Sequence, residues 1–200
     1  MAVPFSLRGV ALARALRQIS RMKDMSIHRF ATLQSTPSIM RGLDRIFFDA
    51  SNTKSFADCA ARDAFRERWL GRYLEHYRQW AYVALTSEGA VAGYLVGCLD
   101  DPALSPRFAD LPYFQVFRLL TARYPAHLHV NVDAAHRGHG IGAALVARFV
   151  SEAQQEKSPG VHVVTSRNAR NVAFYARHGF APAGYEGSGD AAIVFLARAL

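Results

Sequence analysis

The most constraining stretch of the chain is residues 128–142 (LHVNVDAAHRGHGIG), where an alternating apolar run is followed by three glycines at every second position. Leu128, Val130 and Val132 alternate with polar residues, which is the period of a β-strand with one buried face. After the glycines, apolar residues recur at helical spacing. These are Ile141, Leu145, Val146, Phe149 and Val150. The stretch predicts a strand that passes through a glycine-rich turn into an amphipathic helix.

The glycine-rich turn has the chemistry of an anion-binding loop. Gly138, Gly140 and Gly142 have no side chains, so their backbone can approach a ligand closely and direct several N–H groups at it. The positive end of a helix dipole lies at the same place. Arg137 adds a guanidinium with two parallel donors. The spacing does not match the dinucleotide fingerprint, and the Gly-Lys-Ser/Thr of a nucleoside triphosphate loop is missing, so the turn predicts a different phosphate-bearing ligand.

Residues 137–142 (RGHGIG), between an apolar strand and an amphipathic helix, resemble the acetyl-CoA-binding motif Q/R-x-x-G-x-G/A of the GNAT superfamily of N-acetyltransferases. Residues 168–180 are similar to a second signature of that family, in which an Asn precedes a helix that carries a Tyr and ends in Gly-Phe. Here these are Asn168, Tyr175 and the pair Gly179-Phe180. Both motifs occur in the family's order, and the resemblance extends over roughly residues 25–200.

The resemblance implies an α/β (α+β) fold with a mixed, mostly antiparallel central sheet of about six to seven strands flanked by helices. It also implies a V-shaped split after the central strand, in which the pantetheine arm of CoA lies. Strand backbone near Val130 and Val132 would hold that arm, the glycine-rich turn would bind the pyrophosphate, and Asn168 would contact the CoA arm. The residues that the resemblance assigns to acetyl-CoA are Val130, Val132, Arg137, Gly138, His139, Gly140, Ile141, Gly142, Asn168 and Tyr175.

Acetyl transfer by direct attack of an amine needs a proton acceptor, an oxyanion donor and a proton donor for the departing thiolate. Tyr175 falls at the position of the family's general acid, and a phenol with a pKa of about 10 suits a thiolate of similar basicity. Many relatives carry a Glu on the central strand near the position of Ala126, and this chain does not. The candidate bases are therefore His129, His127 and Asp133, with a water-mediated route as an alternative.

These residues predict an N-acetyltransferase that moves an acetyl group from acetyl-CoA to a primary amine of a small molecule or a protein. The missing strand Glu leaves an alternative, a catalytically weak regulatory module that binds CoA. No metal is predicted, because His127 and His129 lack companion ligands at a recognisable spacing.

The net charge of +8 is unevenly distributed along the chain. Five of the 24 basic residues and none of the acidic ones lie within residues 1–23, which leaves 19 basic against 16 acidic residues elsewhere. This mild excess does not predict a nucleic-acid partner. No apolar run is long enough to span a bilayer, so stable membrane insertion is not expected. We expect Cys59 and Cys98 to be reduced core residues, and the protein to be a monomer or a homodimer.

Residues 1–24 form a basic amphipathic extension ahead of a single predicted acetyltransferase domain, residues 25–200. The extension bears arginines without acids, as mitochondrial transit peptides do. An extra helix and a start codon placed too early, with Met22 or Met25 as the first residue, are the alternatives. The expected location is cytoplasmic, or mitochondrial if the extension is a transit peptide.

A helix predicted over residues 56–80 carries aromatic residues four positions apart. They are Phe65, Trp69, Tyr73 and Tyr77. The favoured interpretation is core packing, and the alternative is the lining of an acceptor pocket. The charged residues between them are expected on a solvated face. The proline-containing insertion at residues 100–125 is either a functional loop beside the site or a packed surface helix.

Overall fold

Seven β-strands form one sheet in the computed structural model, which describes residues 25–200; the predicted N-terminal extension lies outside the described residues. The strands are β1 (Met25–Arg29), β2 (Tyr82–Thr86), β3 (Val91–Cys98), β4 (Ala126–Val132), β5 (Gly160–Ser166), β6 (Ala181–Glu186) and β7 (Ile193–Ala199). Their order is β1-β2-β3-β4-β5-β7-β6, and β4 with β5 is the parallel pair in this sheet. The predicted mixed, mostly antiparallel sheet is confirmed.

Helices cover both faces of the sheet. They are α1 (Pro37–Ala50), α2 (Cys59–Arg66), α3 (Arg72–His76), α4 (Tyr113–Val116), α5 (Arg118–Arg123), α6 (Ile141–Gln155) and α7 (Asn171–Ala176). One core cluster joins α1 and α3 to one face, and another joins α6 and α7 to the opposite face. Among the described residues, none of these helices has both the length and the apolar composition to cross a membrane.

Helix α1 forms where the sequence supplies both a cap and an apolar face. The Thr36 hydroxyl accepts a hydrogen bond from the Ile39 N–H at 3.4 Å, and Pro37 occupies the first turn, where its missing N–H costs nothing. The predicted apolar stripe is buried. It consists of Ile39, Leu43, Ile46 and Phe47.

The helix predicted over residues 56–80 is shorter and is interrupted. Its first part, α2, begins after the Asp58 cap, and a π-helical turn (Glu67–Gly71) connects α2 to α3. Tyr73 and Tyr77 are buried in the core as favoured, but Phe65 and Trp69 are only partly buried. The core interpretation therefore holds for Tyr73 and Tyr77, and the acceptor-pocket alternative for Phe65 and Trp69 stays a prediction. Single π turns inside helices are common at functional sites.

Arg72 departs from the prediction that the charged residues of this helix are solvated. Its side chain is buried and donates two hydrogen bonds to the Asp110 carboxylate, at 2.8 and 2.7 Å. Asp110 belongs to the insertion, which forms α4 and α5 and buries apolar side chains in the core. These are Phe108, Leu111, Phe114 and Phe117. The structure favours the packed interpretation of the insertion.

The two cysteines also differ from each other. Cys98 is buried in the core as expected, but Cys59 is exposed at the first residue of α2. Ala60 and Ala61, the next apolar residues, are exposed as well, because the first half of α2 lies on the surface.

The V-shaped split lies between β4 and β5. Their pairing stops after two residue pairs, Ala126↔Val161 and His127↔His162, whereas β4 remains paired with β3 as far as Val132. Beyond His127 the edge of β4 that faces β5 is therefore open within the described chain. This is the split that the sequence resemblance implies.

Glu152 on α6 connects that helix to the other half of the sheet. Its carboxylate accepts a hydrogen bond from the Tyr82 hydroxyl at 2.6 Å and pairs with Arg29 of β1 and Arg148. Burial alone would raise the pKa of Glu152, but the Tyr82 and Arg148 hydrogen bonds outweigh it and lower the pKa below its ordinary value of 4.5. The carboxylate stabilises the folded state only while it is ionised.

We expect Glu152→Gln to lower the free energy of unfolding at pH 7 by about 1–2 kcal/mol, because the neutral amide cannot form an ion pair with Arg29 or Arg148. Because the folded pKa is depressed, the contribution of Glu152 is complete above its ordinary value of 4.5 and is lost as the pH falls through the folded pKa. Urea unfolding of both proteins over a pH series measures this. The control is Glu156→Gln, an exposed residue just after α6. A difference between wild type and Glu152→Gln that stays constant to the acid limit would contradict the assignment.

Candidate active site

The open edge of β4 presents unpaired backbone groups to the split. The Asp133 N–H donates to the Ala92 carbonyl oxygen at 3.0 Å, so the backbone of residue 133 points toward β3. Alternate residues of a strand direct their N–H and C=O groups to opposite edges. The backbone groups of Val130 and Val132 therefore point away from β3, into the split. The sequence assigned the same two residues to the CoA arm.

The glycine loop, residues 137–142, follows at the end of this strand. Gly138 and Gly140 have φ values of +77° and +82°, a left-handed conformation that side chains rarely adopt. No acceptor among the described residues contacts the N–H of either glycine. The N–H groups in the first turn of α6 have no acceptor within the helix, as at any helix start. Several backbone donors therefore converge at the positive end of one helix dipole, which suits a diphosphate.

The other residues of the glycine loop lie around these backbone donors. Arg137 is exposed, and its Nε donates to the Val132 carbonyl oxygen at 3.3 Å, which holds the guanidinium beside the loop. His139 is half-buried between the two left-handed glycines. Ile141 is buried against β3 and β4 and begins α6, and Gly142 lies one residue further along the helix. A Cβ atom at Gly138 would meet nothing within 4 Å, so the loop has open space in front of it.

Asp133, one of the three candidate bases, is engaged in holding the turn before the loop. One carboxylate oxygen accepts from the Ala135 N–H at 2.8 Å, and the other pairs with Arg45 of α1. Burial alone would raise the pKa of Asp133, but the Ala135 N–H and the Arg45 guanidinium lower it below the ordinary value. The carboxylate is a turn cap and an ion-pair partner in this structure.

The second motif, residues 168–180, begins with Asn168 in a turn and carries Tyr175 in the helix that follows. Asn168 is exposed in the turn that follows β5 and precedes α7, which begins at Asn171. The helix ends before Gly179, whose φ of +82° matches the predicted glycine stop. Asn168 therefore remains a loop residue, open to solvent.

Tyr175 lies inside the core on the α6 side of the sheet. It is 3% exposed, and its ring packs against Phe174 and Phe180 with centroids 5.2 and 5.4 Å away. These ring contacts and the neighbouring core residues bury the side chain. Burial raises the pKa of Tyr175 well above its ordinary value, so the phenol stays protonated at all physiological pH values. The hydroxyl therefore carries a proton, but burial makes it a weaker acid than a phenol in water.

On the opposite face of the sheet a cavity of about 300 Å³ opens where β4 and β5 have separated. Its walls come from α1 and the loop after it, from α2 and the π-helical turn, and from both strands. They are Phe47, residues 50–53, Phe65, Trp69, His129, Asn131 and Val164. Sequence reasoning assigned Phe47 to the core and did not single out Asn131, although the period of two on β4 places Asn131 on the same face as His129.

His129 is the candidate base that lines this cavity. Its ring contacts Trp69 edge to face at a centroid distance of 5.5 Å, and its Nε2 is buried without a hydrogen-bond partner among the described residues. Burial, together with a smaller effect of the Arg72 charge, lowers the pKa of His129 to about 4. The imidazole is therefore neutral at physiological pH.

His127 lies two residues earlier on the same face but deeper in the core. It is 2% exposed, and its Nε2 lies 3.0 Å from the Tyr73 hydroxyl. Burial lowers the pKa of His127 well below its ordinary value. Its neighbour His162, at a ring-centroid distance of 5.5 Å, is a buried histidine that sequence reasoning did not single out. His127 does not line the cavity. Both histidines of β4 were predicted as candidate bases, but of the two only His129 faces the cavity.

Metal ligands are not assembled around these histidines. Within residues 25–200, no group of three or more His, Cys, Asp and Glu side chains could hold a metal ion.

Comparisons with known proteins agree with this geometry. The profile of the acetyltransferase (GNAT) family matches residues 47–180. No curated protein matches the chain in sequence. Among solved structures, the crystal structure of SsHAT has a TM-score of 0.67 and 22% identity, covering 88% of this chain and 98% of that one.

Two further solved structures have the same fold. A GCN5-related N-acetyltransferase from Kribbella flavida has a TM-score of 0.59 and 16% identity, covering 89% of this chain and 99% of that chain. A chain of the NatC complex bound to Gag peptide and CoA has a TM-score of 0.60 and 15% identity, covering 88% of this chain and 99% of its own. The family match spans most of this chain and includes the split, the glycine loop and Tyr175. The chain therefore belongs to the acetyltransferase (GNAT) family, and it is an N-acetyltransferase that uses acetyl-CoA.

Proposed function

We propose that the protein transfers the acetyl group of acetyl-CoA directly to a primary amine that occupies the cavity beside His129. The observation that carries this proposal is that β4 connects three features of the site. The unpaired donors of the glycine loop lie at the end of the strand, its open edge faces the split, and His129 faces the cavity from the same strand.

Residues of the glycine loop hold the diphosphate through backbone N–H groups, with Arg137 beside them. The N–H and C=O groups of Val130 and Val132 bind the amides of the pantetheine arm in the split. Asn168 lies at the exposed entrance and contacts the same arm. This arrangement brings a thioester to the level of the cavity, where the Val132 N–H can donate to the oxyanion that forms on the carbonyl.

Two side chains on opposite faces of the sheet carry out the proton transfers. The amine nitrogen forms the new C–N bond while its proton leaves to neutral His129, directly or through a water molecule. The C–S bond then breaks, and the hydroxyl proton of Tyr175 passes to the departing thiolate. His127 and Asp133 support the site through their contacts with Tyr73 and Arg45 rather than by direct proton transfer.

The acceptor is a small molecule or a protein amine. The NatC structure, which has the same fold, was solved with a peptide as well as CoA. The test of the proposed reaction is incubation of the purified protein with acetyl-CoA and a panel of primary amines while free thiol is followed. Saturable CoA binding without thiol release for any amine would support the regulatory module instead.

Gly140→Glu should abolish CoA binding, with a loss of affinity of at least about 100-fold. The φ of +82° strains any side chain there, and a carboxylate would repel the diphosphate in a loop whose donors are uncompensated. Calorimetric titration with CoA measures this change. Gly89→Glu is the control, because it adds the same charge at a φ of +80° on the tip of the β2–β3 hairpin. Equal affinity of Gly140→Glu and Gly89→Glu would contradict the assigned binding loop.

Tyr175→Phe should leave CoA affinity unchanged and lower kcat by about 100-fold, in the range that a lost general acid costs. Phe keeps the ring that packs against Phe174 and Phe180, so the substitution should leave the core packing in place. Steady-state kinetics with thiol detection measure the effect. Tyr185→Phe on the exposed strand β6 is the control. Unchanged turnover in Tyr175→Phe would rule out the acid role.

His129→Gln should lower kcat by about tenfold with the KM for acetyl-CoA unchanged. This loss of kcat is smaller than the removal of a general base usually causes, because an imidazole with a pKa of about 4 has little driving force for accepting a proton. The same pKa predicts that kcat/KM of the wild type shows no inflection from this histidine between about pH 6 and 8. His76→Gln, an exposed residue of α3, is the control. An inflection near neutrality that disappears in His129→Gln would contradict the assigned state of the imidazole.

A further inference from the structure

The described walls of the cavity beside His129 are uncharged: aromatic rings line one part, and Ser51, Asn52 and Thr53 of the loop after α1 line another. Phe47, Phe65 and Trp69 supply three rings, and the polar side chains that face them from β4 are His129 and Asn131. We infer that the acceptor is a small primary amine joined to a flat, uncharged apolar group, and that acceptors carrying a second charge are rejected. This inference rests on the proposed function, because it identifies the substrate class of the same site.

The three rings form a surface that suits a flat group. Phe47 and Phe65 contact each other with ring centroids 5.5 Å apart, and Trp69 contacts His129 at the same distance. An aromatic or alicyclic group between these walls loses water from its apolar surface and packs against ring faces and edges. A cavity of about 300 Å³ lies at the lower end of small-molecule sites, which limits the acceptor to a small body.

Three carboxylates on elements around the cavity are paired with arginines of the protein. The carboxylates of Asp44, Asp110 and Asp133 pair with Arg66, Arg72 and Arg45, respectively. No Asp, Glu, Lys or Arg is among the described residues that line the cavity. A second ammonium or a carboxylate on the acceptor would therefore lose hydration without gaining an ionic partner, which is costly.

Two polar atoms on β4 are placed to receive the amino group. The Asn131 Nδ2 donates to the Tyr94 hydroxyl at 2.8 Å, which turns the Oδ1 of the same amide away from that contact. The Nε2 of His129 is buried and has no partner among the described residues. An amine between Oδ1 of Asn131 and Nε2 of His129 would satisfy both acceptors, with its apolar body against Trp69. Asn131 is thus a positioning residue for the acceptor.

The experiment compares acceptors of similar size that differ in charge. Thiol release is measured with 2-phenylethylamine, with phenylalanine, which adds a carboxylate, and with 1,4-bis(aminomethyl)benzene, which adds an ammonium. We expect kcat/KM for 2-phenylethylamine to exceed that for either charged analogue by at least about tenfold. Trp69→Ala should raise the KM for 2-phenylethylamine by about tenfold while the KM for acetyl-CoA stays unchanged.

A binding measurement that does not depend on turnover uses the two tryptophans of the chain, Trp69 and Trp80. Trp80 packs against Phe149 of α6, away from the cavity, so Trp80→Phe leaves Trp69 as the reporter. Addition of 2-phenylethylamine should change the fluorescence of the wild type and of Trp80→Phe, and should leave that of Trp69→Phe unchanged.

The results of these experiments distinguish failure of the inferred acceptor class from failure of the proposed acetyltransferase reaction. Faster thiol release with the diamine, with phenylalanine or only with longer peptides would overturn the inferred acceptor class and leave the acetyltransferase reaction intact. CoA binding without thiol release from any amine, and without a fluorescence response, would overturn both.

Discussion

The loss of pairing between β4 and β5 after two residue pairs is the constraint on which the site depends. A parallel pair that continued along both strands would satisfy the backbone groups of Val130 and Val132 and close the passage between the two faces of the sheet. Because β4 keeps its partner β3 and β5 keeps its partner β7, each strand is held in place while they diverge. The sheet can therefore contain an opening without losing its order.

The same separation divides the chemistry between two faces. The face covered by α6 and α7 carries the glycine loop and Tyr175, and the face covered by α1 and α2 carries the aromatic cavity and His129. A strand places consecutive side chains on opposite faces, so β4 contributes Val130 and Val132 to one and His129 and Asn131 to the other. In the proposed reaction, one strand would align a thioester in the split with an amine in the cavity.

No charged side chain is among the described residues that line the cavity. Three arginines hold the nearby carboxylates, and burial keeps His129 neutral, so the site has no strong base. An apolar environment also lowers the pKa of a bound ammonium, because burial penalises its charged form. In the proposed reaction, deprotonation of the acceptor would therefore depend on desolvation as well as on His129.

The local pattern of the sequence was sufficient to predict β4, the glycine loop, α6 and the position of Tyr175, because period, glycine placement and motif spacing are properties of neighbouring residues. The tertiary structure decided four other features. It buried His127 more deeply than His129, paired Asp133 with Arg45, buried Arg72 and exposed Cys59. These depend on partners far away in the chain. A residue's burial and pKa are set by what packs against it, and only the folded chain brings Tyr73, Arg45, Asp110 and Trp69 to their places around the site.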